Sequence, residues 1–524
     1  MDFSLKKFVA LLCLAALVFS LCGCGREVLT GDGGAGGKPS GGTQTGTEIG
    51  KTGVSDGKFS LFYNPSASMN PVVTGDINNQ LVCGLIFENM VTVDNSFAVI
   101  PGVVTGWSTA DGINWDFTVD TERKFSDGTA VTAGDVANSL RLAINNSRYE
   151  GRFDGWLNAI YAADDKTMKV ALTRANRTFP SLLTIPVMKT NTTIGSGAYA
   201  LAEDGLSLEV NAYYEGGTPV ERVYLETYSD VDEFITKYED STVDLVINDP
   251  STTTNLGFGS SNERRGFNTS NLVYIAFNRK SALFGDGKLA YAFSYGFDRN
   301  YMADTLLQGN ALAACSPISP ASELYNKYFD EKFGYDLEKC KTVLDNIGVG
   351  DLDADGVNEY LVTGIPYELN ATFIVCSDSS AKVALAEKFA QEMAQFDFKI
   401  TVKKLGFNEY KTALSEGDYD IACCEVRLSP NFDLSPILGD GALNYSGRKD
   451  ETMQEYINDY LASGSEERQY YCDLMLNYVA DTAAIIPICF EKHQIVTHRG
   501  VITGMTVNQN APLTGFAGWS IDLS

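Results

Sequence analysis

The stretch KFSDGTAVTAGDV, residues 124–136, carries the most specific signal in the chain. Thr132, followed three residues later by Asp135, has the spacing of a helix N-cap with its capping box. The segment that follows keeps helical character through Leu140, Leu142 and Ala143. We therefore predict a helix that begins at Thr132.

Outward from this helix, short β-rich runs alternate with amphipathic helical segments. Further helices are predicted at Val231 to Tyr238, Lys288 to Leu306, Leu337 to Ile347, Ala381 to Phe396 and Glu466 to Thr482. Strands are predicted at Ser207 to Asn211, Val243 to Ile247, Leu272 to Phe277, Glu368 to Val375, Lys399 to Lys404 and Ile485 to Phe490. The chain has no internal repeat and no regular βαβ period, which favours an α/β fold of interleaved lobes.

The N-terminus has the pattern of an export signal. Lys6 and Lys7 precede an apolar run from Phe8 to Leu21 that is too short for a permanent transmembrane helix. The sequence Leu21-Cys22-Gly23-Cys24 looks like a bacterial lipobox, which makes Cys24 the expected lipid acceptor; Cys22 and ordinary signal cleavage are the alternatives. We expect residues 1–23 to be removed and the protein to be extracytoplasmic, anchored to the membrane through its lipidated N-terminus.

The chain that follows begins with a segment rich in Gly, Thr and Ser, so residues 24–57 are predicted to be a lipid anchor and flexible linker. About 500 residues remain after processing, which favours two or more lobes over one core. The net charge is −27, with 40 Lys and Arg against 67 Asp and Glu. This balance excludes nucleic acid as a partner because a phosphate backbone needs a basic surface.

Eight cysteines follow Cys24, and none belongs to a CxxC pair. This spacing argues against a zinc site. Disulfides are permitted outside the cell, but the pattern is typical of small buried hydrophobic residues. The eight are Cys83, Cys315, Cys340, Cys376, Cys423, Cys424, Cys472 and Cys489.

A series of short motifs runs in a fixed order from residue 58 to the C-terminus. They are Asn70-Pro71, Ile86 to Met90, Trp115 to Val119, Lys124 to Thr129, Thr132 to Val136, Gly195 to Tyr199, Asn211 to Pro219, Val243 to Leu245, Phe277-Asn278, Ala292 to Arg299, Tyr419 to Ile421 and Ile486 to Ile488. In this order they resemble the extracellular solute-binding proteins of family 5, the oligopeptide, dipeptide and nickel binders of ABC importers.

This resemblance implies a two-lobed, type II periplasmic-binding-protein-like α/β fold that encloses its ligand. Lobe 1 would comprise residues 58–268 and 491–524, with an inserted subdomain at about 94–187. Lobe 2 would comprise residues 269–490. The expected partners are a peptide or other small ligand and the permease and ATPase subunits of an importer, and the expected protein is a monomer without cofactor or catalysis.

The resemblance also suggests ligand contacts near Thr74, Gly75 and Asp76. This loop aligns with a family segment that pairs with the ligand backbone as an added strand. An ordinary turn is the alternative. Trp519, close to the C-terminus, is a further candidate for the cleft wall, with a place in the core as the alternative.

A second group of candidates follows the Tyr419-Asp420 strand. Peptide-binding relatives carry there an aspartate that pairs with the ligand's amine, together with a tryptophan that is missing here. Asn431 and Asp433 are the candidates at this place, and Arg427 could hold a ligand carboxylate through a bidentate fork. A solvated loop or an inter-lobe salt bridge is the alternative.

Two patterns with metal-binding residues are interpreted as structural. Asp351 to Gly356 begins like an EF-hand loop, but its twelfth position is Val362 in place of Glu, which favours an Asp-rich turn. His493 and His498 are five residues apart and so do not share a strand face, which argues against a metal pair or a catalytic dyad. We predict no metal site.

Three functions are compatible with these residues. The first is a binding protein that delivers its ligand to an ABC importer. The second is a lipid-anchored surface hydrolase or peptidase, which the missing GxSxG and HExxH motifs disfavour. The third is a binding protein that senses its ligand without transporting it.

Overall fold

The computed structural model describes residues 55–149, 151–153, 155–251, 261–509, 511–513 and 515–524. The predicted signal segment, Cys24 and nearly all of the predicted linker lie outside these residues. None of the helices in the described residues is long and apolar enough to cross a membrane.

The strands of the described residues are numbered β1 to β21 in chain order. They are β1 Phe59–Phe62, β2 Val91–Val93, β3 Val99–Pro101, β4 Val104–Ser108, β5 Asn114–Val119, β6 Leu157–Ala162, β7 Thr167–Leu172, β8 Tyr199–Leu201, β9 Ser207–Val210, β10 Arg222–Glu226, β11 Leu245–Asn248, β12 Asn262–Phe277, β13 Ala311–Ala313, β14 Glu359–Val362, β15 Ile365–Glu368, β16 Asn370–Cys376, β17 Lys399–Leu405, β18 Ile421–Arg427, β19 Ile486–His498, β20 Ile502–Thr503 and β21 Ser520–Ile521.

The α-helices are numbered in the same way. They are α1 Ile77–Ile86, α2 Ala133–Ile144, α3 Val231–Glu239, α4 Lys288–Phe293, α5 Tyr328–Phe333, α6 Leu337–Asn346, α7 Ser380–Met393, α8 Phe407–Glu416, α9 Glu451–Ala462 and α10 Arg468–Asp481. Short 3₁₀ turns lie at Ser147–Tyr149, Phe179–Leu183, Ser294–Gly296, Ala394–Phe396 and Phe516–Gly518, and a π-helix lies at Tyr301–Leu306.

One large sheet runs through both halves of the described chain, in the strand order β17-β16-β18-β12-β19-β11-β1-β10-β9-β8, with β13 also paired to β19. Its centre is the antiparallel pair of β12 and β19, which are 16 and 13 residues long. The register of this pair shifts between Asn268 and Leu272. Such irregularities bend a strand and change its twist, so the sheet changes direction at this point.

Two large hydrophobic cores lie on the two sides of this shift. One is built mainly from residues 272–490 and the other mainly from residues 59–267 and 495–519. Each core belongs to one lobe, and β12 and β19 connect them. The exact lobe boundaries at 268/269 and 490/491 stay predictions, which the position of the register shift supports.

A second sheet, in the order β4-β5-β7-β6, lies within the segment predicted to be an inserted subdomain. Its β5 alternates exposed and buried residues, so that Trp115, Phe117 and Val119 face the core. α2 packs against this sheet and begins at Thr132, whose side chain accepts from the Asp135 backbone N–H while the Asp135 carboxylate accepts from Thr132. The predicted capping box is therefore confirmed.

The single long helix predicted at Lys288 to Leu306 is wrong. α4 ends at Phe293, Phe297 is extended, and the chain resumes as a π-helix at Tyr301. The break accompanies the buried side chain of Arg299, which donates hydrogen bonds to the backbone carbonyls of Ser294, Phe297, Phe333 and Pro487. A buried guanidinium needs such acceptors, and carbonyls engaged in a continuous helix are less available to it.

The other predicted helices are confirmed within two or three residues at each end. The predicted strands at Leu272 to Phe277 and Ile485 to Phe490 are the buried halves of the much longer β12 and β19. Seven of the eight described cysteines are buried and the eighth is half-buried, and all eight are free thiols. This confirms their interpretation as small buried residues.

Asp244 is a buried carboxyl group beside the central sheet. It is 1% exposed, and its Oδ2 accepts a hydrogen bond of 2.8 Å from the Ser60 backbone N–H in β1. Burial raises the pKa of Asp244 to about 7. The folded protein therefore holds a proton that the unfolded chain releases, so this group lowers stability as pH rises between these two pKa values.

Replacing Asp244 with Asn tests this effect. The free energy of unfolding of the wild type should fall by up to about 4 kcal/mol between pH 4 and 7 through this group, and D244N should lose that dependence because its amide oxygen accepts the same hydrogen bond without ionising. Urea denaturation at several pH values measures both slopes. Asp232→Asn, which changes an exposed carboxylate on α3, is the control, and equal slopes in D244N and wild type would contradict the assignment.

Candidate functional site

A cavity of about 1320 Å³ lies between the two lobes. This volume exceeds the range of roughly 300–1,000 Å³ that is usual for small-molecule sites. Its wall includes α1 with the segments around it and the chain that follows β18. It also includes described residues between positions 147 and 156 and between positions 509 and 517. The cavity therefore receives side chains from both lobes and has room for a ligand larger than a single amino acid.

Arg427 and Asp433 both line this cavity, as predicted ligand contacts should. Arg427 is the last residue of β18, where pairing with β12 ends at Asn271. The chain then leaves the sheet, turns at Phe432, whose φ is +54°, and brings Asp433 back to the wall. A basic and an acidic group thus stand six positions apart on one segment of lobe 2.

The Asp433 carboxylate is almost completely buried. Burial raises the pKa of Asp433, while hydrogen bonds from Ser435 and Trp156 and the positive charge of Arg174 oppose that rise. The Ser435 backbone N–H donates to Oδ1 at 2.8 Å. These contacts fix the position of the Asp433 carboxylate at the cavity wall.

Arg427 belongs to a group of arginines that face the cavity. Burial, together with the positive charges of Arg152 and Arg148, lowers the pKa of Arg427 to about 10. Burial lowers the pKa of Arg152 to about 10 as well, again with a contribution from Arg148. These three side chains are therefore close enough to repel one another.

Arg174 stands next to Asp433 and completes the basic side of the wall. Its guanidinium carbon lies 3.9 Å from the centroid of the Trp156 ring, and its Nη1 donates to Asn458 Oδ1 at 2.8 Å. The stacking fixes the plane of the guanidinium group. Arg174 thus links the segment after β7 to α9 of the other lobe.

The other five predicted ligand contacts do not belong to the described cavity wall, for identifiable reasons. Asp76 is the N-cap of α1 and accepts from the backbone N–H groups of Asn78 and Asn79. The Thr74 carbonyl accepts from Gln80 and Arg148, so the loop of Thr74, Gly75 and Asp76 supports wall residues from behind.

Asn431 and Trp519 are turned to neighbouring protein groups. The Asn431 side chain donates to Thr178 Oγ1 at 3.0 Å, and the backbone carbonyl of Asn431 accepts from the Tyr460 hydroxyl. Trp519 is 4% exposed and packs against Phe516 with ring centroids 4.9 Å apart. Phe516 lines the cavity, so Trp519 stands behind the wall.

Sequence analysis missed Arg148, Arg152 and Arg174. The spacing of Arg148 and Arg152, four residues apart in a polar stretch, is the local signal that could have drawn attention to two of them. Nothing in the spacing relates either residue to Arg427, because they lie more than 250 positions away and meet only through the fold.

Several hydrogen bonds join the segment after β7 to lobe 2. Asn431 Nδ2 donates to Thr178 Oγ1 at 3.0 Å, Arg174 donates to Asn458 at 2.8 Å, and the Arg177 backbone N–H donates to the Leu461 carbonyl at 2.7 Å. Phe97 also packs edge-on against Phe432, with ring centroids 4.9 Å apart. These contacts connect the inserted segment to lobe 2 across the cleft.

Charged groups cluster where β19 passes between the lobes. Glu491, 1% exposed, has its Oε1 3.4 Å from the Lys382 ammonium, which also pairs with Glu425. Burial raises the pKa of Glu491, and the positive charge of Lys382 opposes that rise. β19, the strand that connects the lobes, therefore carries a buried carboxyl group whose ionised form is favoured by Lys382.

The two histidines both lie on β19 and face different neighbours. His493 Nε2 is 3.5 Å from Asp249 Oδ2, and burial lowers the pKa of His493. His498 stacks on Tyr238 with ring centroids 4.5 Å apart. Both histidines therefore belong to the strand that connects the lobes.

The Asp351 loop is built as the predicted acidic turn. Its carboxylates accept from the backbone N–H groups of Asp355, Gly356 and Val357, and Glu359 accepts from Leu352. Asp351, Asp353 and Glu359 each place one oxygen within 4.8 Å of the others. These hydrogen bonds account for the arrangement of the loop.

Sequence comparison finds relatives among binding proteins. The chain is 22% identical to heme-binding protein A of Haemophilus influenzae over 303 residues, which cover 47% of this chain and 53% of that protein. It is 29% identical to oligopeptide-binding protein AppA of Bacillus subtilis over 171 residues, covering 31% of each chain. The chain thus spans about half of the first relative and about a third of the second.

Solved structures show the same fold over nearly the whole chain. A crystal structure of the ABC transporter substrate-binding protein CtaP from Listeria monocytogenes aligns with a TM-score of 0.72 and 17% identity, covering 90% of this chain and 100% of that one. The unliganded open form of the murein tripeptide-binding protein MppA aligns with a TM-score of 0.71 and 18% identity, covering 89% and 98%. The α/β, two-lobed fold of type II binding proteins is confirmed.

The family assignment rests on a match to a larger part of the chain. Residues 98–431 match the family described as bacterial extracellular solute-binding proteins, family 5 Middle. The matched region contains the second sheet, the helix that begins at Thr132, β12, and the chain through Arg427 that forms the basic side of the cavity wall. This chain belongs to the family 5 bacterial extracellular solute-binding proteins.

Proposed function

We propose that this protein captures a short peptide between its lobes and delivers it to the permease of an ABC importer. The observation that carries the proposal is the presence of Asp433 and Arg427 at one cavity wall, since a peptide has one cationic and one anionic end. The protein would act as a monomer, tethered to the membrane through lipidated Cys24, without performing chemistry on its ligand.

The cavity wall offers partners for both ends and for the backbone of a peptide. Asp433 would pair with the free amine, and the guanidinium group of Arg427 would hold the carboxylate through two parallel hydrogen bonds. Asn271 Oδ1, at the wall, is buried without a hydrogen-bond partner among the described residues. Buried polar atoms of this kind favour a polar ligand.

The names of the relatives do not by themselves select a ligand. One relative is named for heme, another for oligopeptides and a third for nickel. The choice of a peptide therefore depends on the charges and volume of the cavity. AppA, crystallised with a nonapeptide, shares this fold with a TM-score of 0.63, although only 18% of the aligned residues are identical.

Closure of the lobes would couple capture to delivery. On this proposal, the contacts of Thr178, Arg174 and Arg177 with lobe 2 form when the cleft closes, and a ligand that touches both walls adds to them. A ligand shifts such an equilibrium by its difference in affinity for the two forms. A permease that recognises the closed form would then receive loaded protein selectively.

Native mass spectrometry of the body from Lys58 onward, purified without refolding, tests the proposal first. We expect a set of adducts with the masses of short peptides. Non-peptide adducts would contradict the peptide assignment, and release of cleavage products from a peptide library would contradict binding without catalysis.

Asp433→Asn tests the amine site. The amide keeps an acceptor for Ser435 but loses the negative charge, so affinity for a free-amine peptide should fall about 10- to 100-fold. Isothermal titration calorimetry with a co-purified peptide measures the loss, and an N-acetylated form of the same peptide should bind both proteins equally weakly. Asp440→Asn is the matched control because Asp440 lines the same cavity and pairs with Lys449.

Removing two cross-cleft hydrogen bonds tests the role of closure. In a Thr178→Ala, Asn458→Ala double variant, peptide affinity should fall by up to about 30-fold, since each bond is worth about 1 kcal/mol and, on this proposal, forms only in the closed state. Calorimetry gives the affinity, and small-angle X-ray scattering should show a larger radius of gyration for the ligand-free variant. Asn477→Ala, which removes a bond within α10, is the control; unchanged affinity and scattering in the double variant would contradict closure by these contacts.

A further inference from the structure

Arg148 and Arg152 stand together at the cavity wall, on the chain that follows α2. Their guanidinium carbons lie 5.7 and 5.1 Å from the centroid of the Tyr149 ring. Tyr149 is buried at 5% exposure and also lines the cavity. One fixed aromatic ring therefore sets the positions of both arginines.

Both guanidinium groups are held by uncharged acceptors. Arg148 donates to the Pro71 carbonyl and to Gln80 Oε1, each at 2.7 Å. Arg152 donates to Thr184 Oγ1 at 3.0 Å and to the Leu182 carbonyl at 3.3 Å. These contacts use some of the five N–H groups of each guanidinium and orient it, but they do not neutralise its charge.

The acidic side chains of the described wall are engaged elsewhere. Glu88 pairs with Arg123, Asp440 pairs with Lys449, and the carboxylate of Asp433 faces Arg174. Within the part of the chain that the structure describes, which excludes Glu150 and Asp154, neither Arg148 nor Arg152 forms an ion pair. Among the described residues, this part of the wall therefore carries the charges of two guanidinium groups.

A pair of arginines at the cavity wall is unexpected from composition, because the chain as a whole carries a net charge of −27. Burial lowers the pKa of Arg152, and the positive charge of Arg148 contributes to that lowering. Two guanidinium groups held side by side in a partly enclosed space repel each other, and an anion between them reduces that repulsion.

We infer that Arg148 and Arg152 form a second anion-binding site, so that the ligand is an acidic peptide with two or more carboxylates. The C-terminal carboxylate would meet Arg427, and an acidic side chain would meet Arg148 and Arg152. This inference rests on the proposed function, since it takes the cavity to be the peptide site. It adds that the side chains of the peptide are selected by charge.

Titration calorimetry of the mature chain with two isosteric tripeptides tests the inference. Ala-Glu-Glu should bind about tenfold or more tightly than Ala-Gln-Gln, as expected for charge-assisted bidentate hydrogen bonds. Arg152→Gln and, separately, Arg148→Gln should each reduce this preference, because each should weaken binding of Ala-Glu-Glu more than binding of Ala-Gln-Gln. Thermal melting shows whether each variant is folded. If only one of the two variants is folded, its affinities decide the result.

Arg141→Gln is the matched control. Arg141 lies at the end of α2, near the same segment, but it is exposed, bonds to the Ile160 carbonyl and does not line the cavity. This variant should keep the full preference for Ala-Glu-Glu. If R141Q lost the preference for Ala-Glu-Glu to the same extent, a general effect of net charge would explain the loss. That result would overturn the second anion site.

Citrate and pyrophosphate are tested in parallel, which separates this inference from the proposed function. Equal affinities for the two tripeptides would overturn the second anion site and leave the peptide function standing. Binding of citrate or pyrophosphate that depends on Arg152, without binding of any tripeptide, would support the anion site and overturn the peptide function. No binding by any of these probes would overturn both.

Discussion

Pairing between β12 and β19 is the interaction on which the rest of the structure depends. Each strand contributes one end to the core of lobe 1 and the other end to the core of lobe 2, so neither core could be positioned without them. The register shift between Asn268 and Leu272 is placed between the cores. Strands at a register shift are less regularly bonded than continuous ones, so the connection between the cores is the least regular part of this strand pair.

The polar groups of the cavity follow from the same constraint. Asn271 and His493 come from β12 and β19, and Arg427 ends the neighbouring β18, so the central strands deliver polar side chains to the space between the lobes. Glu491 and Lys382 stand just beside it as a buried ion pair. Breaking such a pair by removing one partner is costly, which gives these residues a structural role in the connection between the lobes.

The contacts across the cleft differ in kind from those inside each lobe. The lobe cores are large and apolar, whereas the described contacts between Thr178, Arg174 or Arg177 and lobe 2 are single hydrogen bonds, supported by the packing of Phe97 on Phe432. Individual hydrogen bonds contribute about 1 kcal/mol each. The lobes should therefore keep their own structure while the cleft opens and closes, and a bound anion between the arginines would shift that balance towards closure.

Local sequence determined the elements whose signals are local. The capping box at Thr132 and Asp135, the positions of five of the ten described α-helices and the burial of the cysteines were predictable because periodicity and capping depend on neighbours within one or two turns. The motif order determined the family and, with it, the two-lobed fold and the choice of Arg427 and Asp433. Tertiary structure alone decided that Arg148, Arg152 and Arg174 join them, that Asp76 caps a helix behind the wall, and that Arg299 interrupts the helix predicted at Lys288 to Leu306. The reason is that a cavity wall and a buried charge are assembled from segments far apart in the chain, and sequence spacing carries no information about which of them meet.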